Sequence, residues 1–334
     1  MTRPGGGSGS TARPGGGPEG GVDGVVVVDK EAGWTSHDVV ARCRRLFAER
    51  RVGHAGTLDP DATGVLLVGM GRATRLLRFL SAMPKRYVGQ VVLGEATTTL
   101  DAAGEVTGRW DMGGVALADV EMAAARLTGP ILQVPPMVSA KKVGGRRLHE
   151  LARAGIEVER EARPVVVHRL VVRPTGEPTI YGIDVTCSSG TYVRSLAADL
   201  GSALGGGAHL RGLRRLSVGS FTLEEAHTLE ALAHDPLAHV LSPAEALRDL
   251  PSVTVDGPIA EAVGHGVVLG AAGLGDSPRA GGGPGGGGPG VSGPGPRAVL
   301  DRAGRLLAVY EEADRDPTRL KPAVVMPGPT DPRR

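Results

Sequence analysis

The sequence has few of the residues that stabilise secreted domains or cross membranes. Its 334 residues include two cysteines, Cys43 and Cys187, and no long apolar run. Two cysteines predict neither a disulfide framework nor a structural zinc site, and a membrane-spanning helix needs about 20 apolar residues. The N-terminus has arginines among Gly, Ser and Pro but no apolar core, so it does not indicate a secretory signal. We therefore expect two buried thiols, a reducing cytoplasm and no membrane partner.

Aromatic residues and net charge are also low. Phe, Trp and Tyr together make up 3% of the chain, and the formal net charge of +2 is too small to indicate nucleic-acid binding by itself. The basic residues are nevertheless clustered, and charge alone leaves two interpretations open, a basic face for phosphates and ordinary solvated helix faces. The clusters are Arg42, Arg44, Arg45, Arg50 and Arg51; Arg72, Arg75 and Arg78; Lys141, Lys142, Arg146 and Arg147; and Arg211, Arg214 and Arg215.

Composition divides the chain into regions. Residues 1–22 are rich in Gly, Pro and Ser with almost nothing apolar, which predicts a disordered tail. Residues 23–250 combine strand and helix patterns and are long enough for a sizeable core. Residues 251–334 are β-rich, and a Gly/Pro-rich insertion at about 271–296 predicts a disordered loop. We therefore expect a larger domain followed by a smaller β-rich domain.

Hydrophobic periodicity predicts the elements of both domains. Thr35 and Asp38 have the spacing of a capping box at the start of a helix. Further helices are expected at 74–80, 117–127, 146–154 and 192–204, with two short ones within 225–250, the second beginning at Ser242-Pro243. Strands are expected at 25–28, 65–68, 86–93, 164–172, 180–186, 208–219, 251–255, 267–269, 298–301, 306–310 and 321–325.

The stretch 51–71 places one carboxylate, Asp59, in a Gly-rich loop that leads into an apolar run. Pro60 fixes its own φ and biases Asp59 toward an extended backbone. A carboxylate on a stiff turn at the edge of a buried strand can act as a nucleophile or a general base. The competing interpretation is an ordinary turn, because Asp-Pro is common in turns.

The residues around Asp59, GHAGTLDPDATGVL from Gly53, resemble the catalytic motif of the tRNA pseudouridine synthase B (TruB) family, Gly-His-x-Gly-x-Leu-Asp-x-x-Ala-x-Gly. Further stretches resemble motifs of this family in the same order along the chain. They are Lys-Arg-Tyr at 85–87, the Thr- and Asp-containing loop at 97–104, Gln-x-Pro-Pro-x-x-Ser-Ala-x-Lys at 133–142, Cys-x-x-Gly-Thr-Tyr-x-Arg at 187–194, and the Leu-Arg-Arg strand at 208–219.

This resemblance implies a fold and a catalytic set. The fold is α+β, with a mixed, largely antiparallel central sheet flanked by helices (the pseudouridine synthase fold) and a small C-terminal PUA-like β-barrel. Asp59 would be the catalytic aspartate and Arg194 its ion-pair partner. Tyr87 would stack on the target base and could shuttle a proton. Without the resemblance, a half-buried strand aromatic is the simpler interpretation of Tyr87.

The resemblance also implies substrate-binding residues. His54 is the candidate wedge that enters the tRNA T loop, Asp101 would face the active site, Tyr192 would line the pocket and Leu213 would flank the base. Lys141 and Lys142 are candidate RNA contacts.

The implied activity is the isomerisation of uridine-55 in the T loop of tRNA to pseudouridine. The reaction breaks the C1′–N1 bond, turns the flipped-out uracil and rejoins it through C5, so it requires no cofactor or metal. The sequence has neither a P-loop nor a His-Glu-x-x-His motif. Whether Asp59 attacks C1′, adds to C6 or abstracts a sugar proton stays open.

The expected partner is tRNA, bound by a stand-alone monomer with no obligate protein partner. Two other interpretations stay open. One is an RNA-binding or RNA-folding protein whose pocket is incidental, and the other is a relative that acts on other RNA under the guidance of partner proteins.

Overall fold

The computed structural model describes residues 21–137, 142–143, 146–147, 160–270, 295–314 and 316–326, with backbone alone at 142–143 and 146–147. Residues 1–20 of the predicted tail, residues 271–294 of the predicted insertion, and Lys141 lie outside the described residues.

Seven α-helices occur within the described residues: α1 (Ser36–Leu46), α2 (Leu77–Ala82), α3 (Leu117–Arg126), α4 (Val193–Ala203), α5 (Leu229–His234), α6 (Pro243–Ala246) and α7 (Gly257–Gly264). None of these helices is long and apolar enough to cross a membrane. Short 3₁₀ helices span Gly71–Leu76, Leu223–Glu225 and Leu237–His239.

The strands of the described residues are β1 (Gly24–Lys30), β2 (Val52–His54), β3 (Thr63–Met70), β4 (Lys85–Leu93), β5 (Glu95–Thr97), β6 (Val106–Arg109), β7 (Gly129–Gln133), β8 (Lys142–Val143), β9 (Arg146–Arg147), β10 (Arg163–Pro174), β11 (Ile180–Cys187), β12 (Ala208–Val218), β13 (Phe221–Thr222), β14 (Ser252–Thr254), β15 (Leu269–Gly270), β16 (Arg297–Leu300), β17 (Leu306–Ala313) and β18 (Asp316–Val325).

The larger sheet has nine strands among the described residues, in the order β1-β3-β12-β4-β11-β10-β7, with β2 beside β3 and β13 beside β12. The β3–β12 pair is parallel and the other pairs are antiparallel. The predicted α+β class with a mixed, largely antiparallel sheet is therefore confirmed.

Strands β1 and β3 are buried on both faces, which explains their continuous runs of Val and Leu. One face, including Val26 and Leu66, packs against α1. The other face, including Val27 and Leu67, packs toward the sheet formed by the C-terminal strands β14–β18. Helix α1 begins as expected, because the Thr35 side chain accepts from the Asp38 N–H and the Asp38 carboxylate accepts from the Thr35 N–H. These contacts make the frame around the Asp59 loop rigid.

The parallel β3–β12 pair depends on a glycine. Gly64 lies opposite Arg215, has a φ of +102°, and would place a Cβ 2.1 Å from the Arg215 carbonyl oxygen. Any other residue at position 64 would force the two strands apart. This glycine therefore allows β12 to approach the strand that follows the Asp59 loop.

The C-terminal residues form a second sheet in the order β14-β16-β17-β18-β15, which is compatible with the predicted PUA-like domain. Apolar side chains of this sheet, including Leu300 and Val309, share one core with β1 and β3. Arg78 forms an ion pair with Glu311 at 2.7 Å, and Arg75 donates to the Val325 carbonyl. Both arginines are exposed, so the solvated face, one of their two predicted settings, is compatible with these contacts to the second sheet.

Two predicted helices differ from the structure. The segment expected as one helix at 74–80 begins as a 3₁₀ helix that continues into α2. The helix expected at 146–154 is wrong at its start, because Arg146–Arg147 forms β9 and pairs with β8 in a short hairpin. Two consecutive glycines in the sequence favour a hairpin turn. The helix prediction relied on the spacing of the charged residues and did not take these glycines into account. Residues 148–154 lie outside the described residues.

Candidate active site

A cavity of about 270 Å³ opens beside the Asp59 loop. It lies where the loop between β2 and β3, the start of α4, and strands β4 and β12 meet. The lining residues are Gly56, Thr57, Leu58, Asp59, Ser81, Lys85, Tyr87, Ser188, Gly190, Thr191, Tyr192, Val193, Arg194, Leu213 and Arg215. Five residues predicted for the site, Asp59, Tyr87, Tyr192, Arg194 and Leu213, are therefore in one cavity.

The backbone on both sides of Asp59 is held by buried side chains. Ser36 Oγ donates to the Leu58 carbonyl at 3.1 Å and accepts from the Leu58 N–H at 2.9 Å. Lys30 Nζ, on a fully buried residue, donates to the Pro60 carbonyl at 2.9 Å and to the Trp34 carbonyl at 2.7 Å. The residues before and after Asp59 are thus fixed independently, which orients its carboxylate.

Arg194 binds the Asp59 carboxylate at two points. Its Nε lies 3.0 Å from Oδ2 and its Nη2 donates to Oδ1 at 3.2 Å. The arginine is buried in the first turn of α4, where Nη1 also donates to the Thr99 carbonyl at 2.8 Å and lies 3.5 Å from Asp101 Oδ2. Two-point contact fixes the direction of a carboxylate as well as its charge.

The surroundings of Asp59 disfavour its ionised form. Burial raises the pKa of the carboxyl above its ordinary value, and the Asp101 carboxylate adds to this effect, whereas Arg194 opposes both. A carboxylate disfavoured by its surroundings is a stronger base and nucleophile than a solvated one. The carboxylate side chain is still 41% exposed, so a substrate can reach it.

Tyr87 lies on β4 with its ring against the cavity and only 8% of the residue exposed. The guanidinium carbon of Arg215 lies 6.0 Å from the ring centroid. Burial raises the pKa of the phenol, and the Arg215 charge partly opposes that shift. Tyr87 therefore presents a protonated, apolar ring beside Asp59, which suits stacking against a base.

Tyr192 and Leu213 occupy defined positions at the cavity. The main chain of Tyr192, just before α4, exchanges two hydrogen bonds with the Gln133 amide, at 2.7 and 3.1 Å. Leu213 follows Gly212, which has a φ of +63° where the β12–β4 register shifts. That irregularity turns Leu213 into the cavity lining, out of the regular strand alternation.

A second cavity of about 490 Å³ lies on the other side of Asp59 and shares Asp59, Arg194 and Leu213 with the first. Asp101, one of its lining residues, accepts a hydrogen bond from the Ala103 N–H, which holds the turn of its loop. Asp101 therefore lies near Asp59, as predicted, and it contacts Arg194 there.

Among the described residues, His54 is the predicted binding residue that lines neither of the two cavities. His54 lies on β2, packed edge-on against His37 at 5.5 Å between ring centroids. Its Nδ1 is buried without a hydrogen-bond partner in the described structure, and burial, with the charges of His37 and Arg215, lowers its pKa to about 4. Lys142 lies in β8, where the backbone alone is described, and Lys141 lies outside the described residues.

Sequence reasoning missed the buried cations of the site. Lys30, Lys85 and Arg215 are all nearly inaccessible, although Lys and Arg are rarely buried. Arg215 was expected on either a phosphate-binding or a solvated face, but its Nε donates to the Val65 carbonyl and its Nη2 to the Gly56 carbonyl. Both expectations are wrong for this residue, because it is buried. The motifs Lys-Arg-Tyr and Leu-Arg-Arg contained two of these cations, but sequence alone does not tell which side chain points inward.

The arrangement defines a class of chemistry. It combines an oriented, partly exposed carboxylate, a guanidinium that orients it, and an aromatic ring beside it. Among the described lining residues, no Ser or Cys is paired to a base. Cys187, the thiol nearest the cavity, is buried, and burial raises its pKa to about 11. The site therefore suits carboxylate-dependent chemistry on a planar ring substrate.

Comparison with solved structures identifies the fold. The chain resembles a structure described as a Cbf5-Nop10-Gar1 complex, with a TM-score of 0.67 and 26% identity over 92% of this chain and 84% of that chain. It also resembles the structure of an H/ACA RNP bound to a substrate RNA containing 2′-deoxyuridine, with a TM-score of 0.65 and 24% identity over 92% and 86%. The predicted pseudouridine synthase fold is confirmed.

Comparison of sequences identifies the family. A model described as the N-terminal domain of TruB family pseudouridylate synthases matches residues 44–193, and a model of the tRNA pseudouridylate synthase B C-terminal domain matches residues 194–249. The chain belongs to the TruB family of pseudouridylate synthases.

Two relatives show how far the similarity extends. The tRNA pseudouridine synthase B of Symbiobacterium thermophilum is 53% identical over 249 residues, which are 74% of this chain and 83% of that protein. The enzyme of the same name from Mycobacterium tuberculosis strain H37Rv is 46% identical over 268 residues, which are 74% and 90% of the two chains.

Proposed function

We propose that the protein is a tRNA pseudouridine synthase that converts uridine-55 in the T loop to pseudouridine. The observation that carries the proposal is the two-point contact of Arg194 with Asp59, in one cavity with Tyr87. A protein that only binds or folds RNA has no need of an oriented carboxylate whose pKa is raised. Relatives named tRNA pseudouridine synthase B support tRNA as the substrate.

The chemistry assigns a role to each residue of this set. The target uridine leaves its stack and enters the cavity, since the reacting atoms are inaccessible within a stacked loop. Tyr87 and Leu213 contact the two faces of the uracil ring. Asp59, oriented by Arg194, acts at the sugar or the base, and the C1′–N1 bond breaks. After the uracil turns and C5 bonds to C1′, a weak base removes the C5 proton. Asp59 suits this step better than Tyr87, because burial raises the pKa of the Tyr87 phenol and favours its protonated form.

His54 is proposed to enter the space that the flipped nucleotide leaves. Its pKa of about 4 keeps the imidazole neutral at physiological pH, and its buried Nδ1 has no hydrogen-bond partner among the described residues. A neutral, half-buried ring on a rigid strand is suited to a wedge, because little conformational entropy is lost when it inserts.

The domain organisation and the binding partners of the protein are also proposals. We propose a catalytic domain of residues 23–250, a PUA-like domain of 251–334, and action as a cytoplasmic monomer on tRNA. Lys141 and Lys142 are proposed to contact RNA phosphates. Cbf5, with which this fold is shared, is described in a complex with Nop10 and Gar1, so action on another RNA with partner proteins is the second candidate.

The experiment is tritium release from a tRNA transcript labelled at C5 of uridine, because the proton is lost only when the new carbon–carbon bond is completed. Purified protein without additions is mixed with wild-type transcript and with a matched transcript carrying cytidine at position 55. We expect tritium release from the wild-type transcript. The cytidine-55 transcript should release less tritium, because the contribution of position 55 is missing.

The outcomes separate the candidates. Equal release from both transcripts would place the reaction at another uridine and contradict position 55. Binding and refolding of tRNA without release would favour an RNA-folding protein. Release that appears only after addition of a cell extract, and not with purified protein, would favour the partner-dependent relative.

A further inference from the structure

Two buried cations line the cavity beside Tyr87. Lys85, at the start of β4, is 6% exposed, and Arg215 of β12 is 1% exposed. They converge on Gly56, where a Cβ would lie 3.7 Å from Arg215 Nη1 and 3.8 Å from Lys85 Cε. Two positive charges thus meet at one wall of a cavity that is proposed to hold a neutral base.

The hydrogen bonds of both cations go to main-chain carbonyls. Lys85 Nζ donates to the Ser81 carbonyl at 2.5 Å and to the Met83 carbonyl at 2.7 Å, and Arg215 donates to Val65 and Gly56. Within the part of the chain that the structure describes, neither side chain forms an ion pair with a carboxylate. An ammonium has three N–H donors, so Lys85 retains one beyond the two that these carbonyls occupy.

This placement is unfavourable for the folded protein alone. Burial lowers the pKa of Lys85 to about 8, and the neighbouring Arg215 charge acts in the same direction. Buried charges without a counterion destabilise a fold, and groups perturbed in this way concentrate at functional sites. A ligand that becomes negative in the cavity would remove the penalty.

The proposed reaction produces such a ligand. When the C1′–N1 bond breaks, its electron pair stays on the uracil, and the negative charge spreads over N1, O2 and O4. Addition of Asp59 to C6 would also place negative charge on O4. Each of the three routes open to Asp59 therefore develops charge on a carbonyl oxygen of the base, which a fixed donor in a dry cavity stabilises strongly.

We propose that Lys85, supported by Arg215, holds the negative charge that develops on the uracil ring, by donating the third N–H of its ammonium to a carbonyl oxygen of the base. This inference rests on the proposed function. Lys85 stays protonated throughout: the ring receives the electron pair of the C1′–N1 bond and uses ring electrons to form the C5–C1′ bond. It then loses the C5 proton while N1 takes up a proton, which restores a neutral base.

The test compares Lys85→Met with Arg86→Met. Both remove one positive charge from β4, but Arg86 points to the opposite face, where Asp184 keeps Arg169 as a partner at 3.1 Å. Single-turnover rates are measured with enzyme in excess over tRNA. We expect Lys85→Met to lose about 10²-fold or more in rate, with tRNA binding within about twofold of wild type, and Arg86→Met to retain its rate.

A second substrate distinguishes charge stabilisation from a structural role of Lys85. Fluorine withdraws electrons, so a 5-fluorouracil leaving group needs less help from the protein. Loss of 5-fluorouridine from position 55 is followed by nuclease digestion and chromatography. We expect the deficit of Lys85→Met to shrink at least tenfold with this tRNA. If Lys85→Met does not fold, Lys85→Gln, which keeps a donor for Met83, is measured in the same way.

Two results would overturn the inference: a wild-type rate in Lys85→Met, or an equal deficit with uridine and 5-fluorouridine. The second would mean that Lys85 only ties β4 to the end of α2. The proposed function is judged separately, because it fails only if the wild-type protein itself leaves uridine-55 unchanged.

Discussion

The backbone just before Asp59 is held by one hydroxyl, and Ser36→Ala removes it. Ser36 Oγ both donates to and accepts from Leu58, and the two residues are 1% and 4% exposed. Alanine fills the same space without the oxygen, so the Leu58 N–H and carbonyl lose their partner in a place with little room for water. The substitution therefore loosens the loop without touching the cavity directly.

The magnitude follows from the two groups left unpaired. Each buried, unsatisfied group costs about 1–3 kcal/mol, so we expect Ser36→Ala to lose about 2–6 kcal/mol of unfolding free energy. A displacement of about 1 Å in a catalytic group costs on the order of 10²-fold in rate. Because Lys30 and Arg194 still hold Pro60 and Asp59, we expect a single-turnover rate about 10- to 100-fold below wild type, with tRNA affinity within about twofold.

The matched control is Thr35→Ala. The Thr35 side chain caps α1 through its hydrogen bonds with Asp38, whereas Ser36 is the residue that bonds Leu58. We therefore expect Thr35→Ala to cost about 1 kcal/mol of stability and to leave the rate unchanged. Denaturant unfolding gives the stability and tritium release gives the rate. A wild-type rate in a destabilised Ser36→Ala would show that the loop does not depend on this hydroxyl. An equal loss of rate in Thr35→Ala would attribute the effect to general destabilisation.

Three further predictions test the site and the RNA surface. Burial raises the pKa of Asp59 and Arg194 lowers it, so Arg194→Gln should raise that pKa further. Activity should then be lost at a higher pH as the solution is acidified. An unshifted acid limb of the pH–rate profile would contradict the pairing of Arg194 with Asp59. Tyr87→Ala should weaken binding of a flipped base by about 1–3 kcal/mol more than Tyr87→Phe does, as measured by affinity for a T stem-loop. If both variants keep the wild-type activity, Tyr87 is only a core residue. Replacing Lys141 and Lys142 by alanine should reduce the slope of log affinity against log salt by about 1–2 units, and an unchanged slope in filter binding would place both on a solvated face.

Local patterns predicted most of the fold. The capping box at Thr35, the Ser242-Pro243 helix start and the alternating strand at 86–93 follow from short-range rules of side-chain periodicity and capping, and each is present in the structure. The pairing of β3 with β12 could not be predicted in this way. It joins strands that are far apart in the chain, at Gly64 and Arg215, and depends on space for the backbone.

The site was predictable only in part, for a related reason. Motif resemblance placed Asp59, Tyr87 and Arg194 in one site, and the structure brings them into one cavity. The inward direction of Lys85 and Arg215 was missed, because a basic residue in a sequence favours the surface unless long-range packing encloses it. The register shift at Gly212 also interrupts the alternation from which the direction of Arg215 could have been inferred.

The most direct test of the account is Asp59→Asn. The amide is nearly the same size, so the loop and the RNA surface should survive, but the negative charge that every route requires is absent. We expect tRNA binding within a few-fold of wild type and a loss of tritium release on the order of 10⁴-fold or more. Release at a tenth of the wild-type rate would contradict the assignment of Asp59 as the catalytic residue, and with it this reading of the active site.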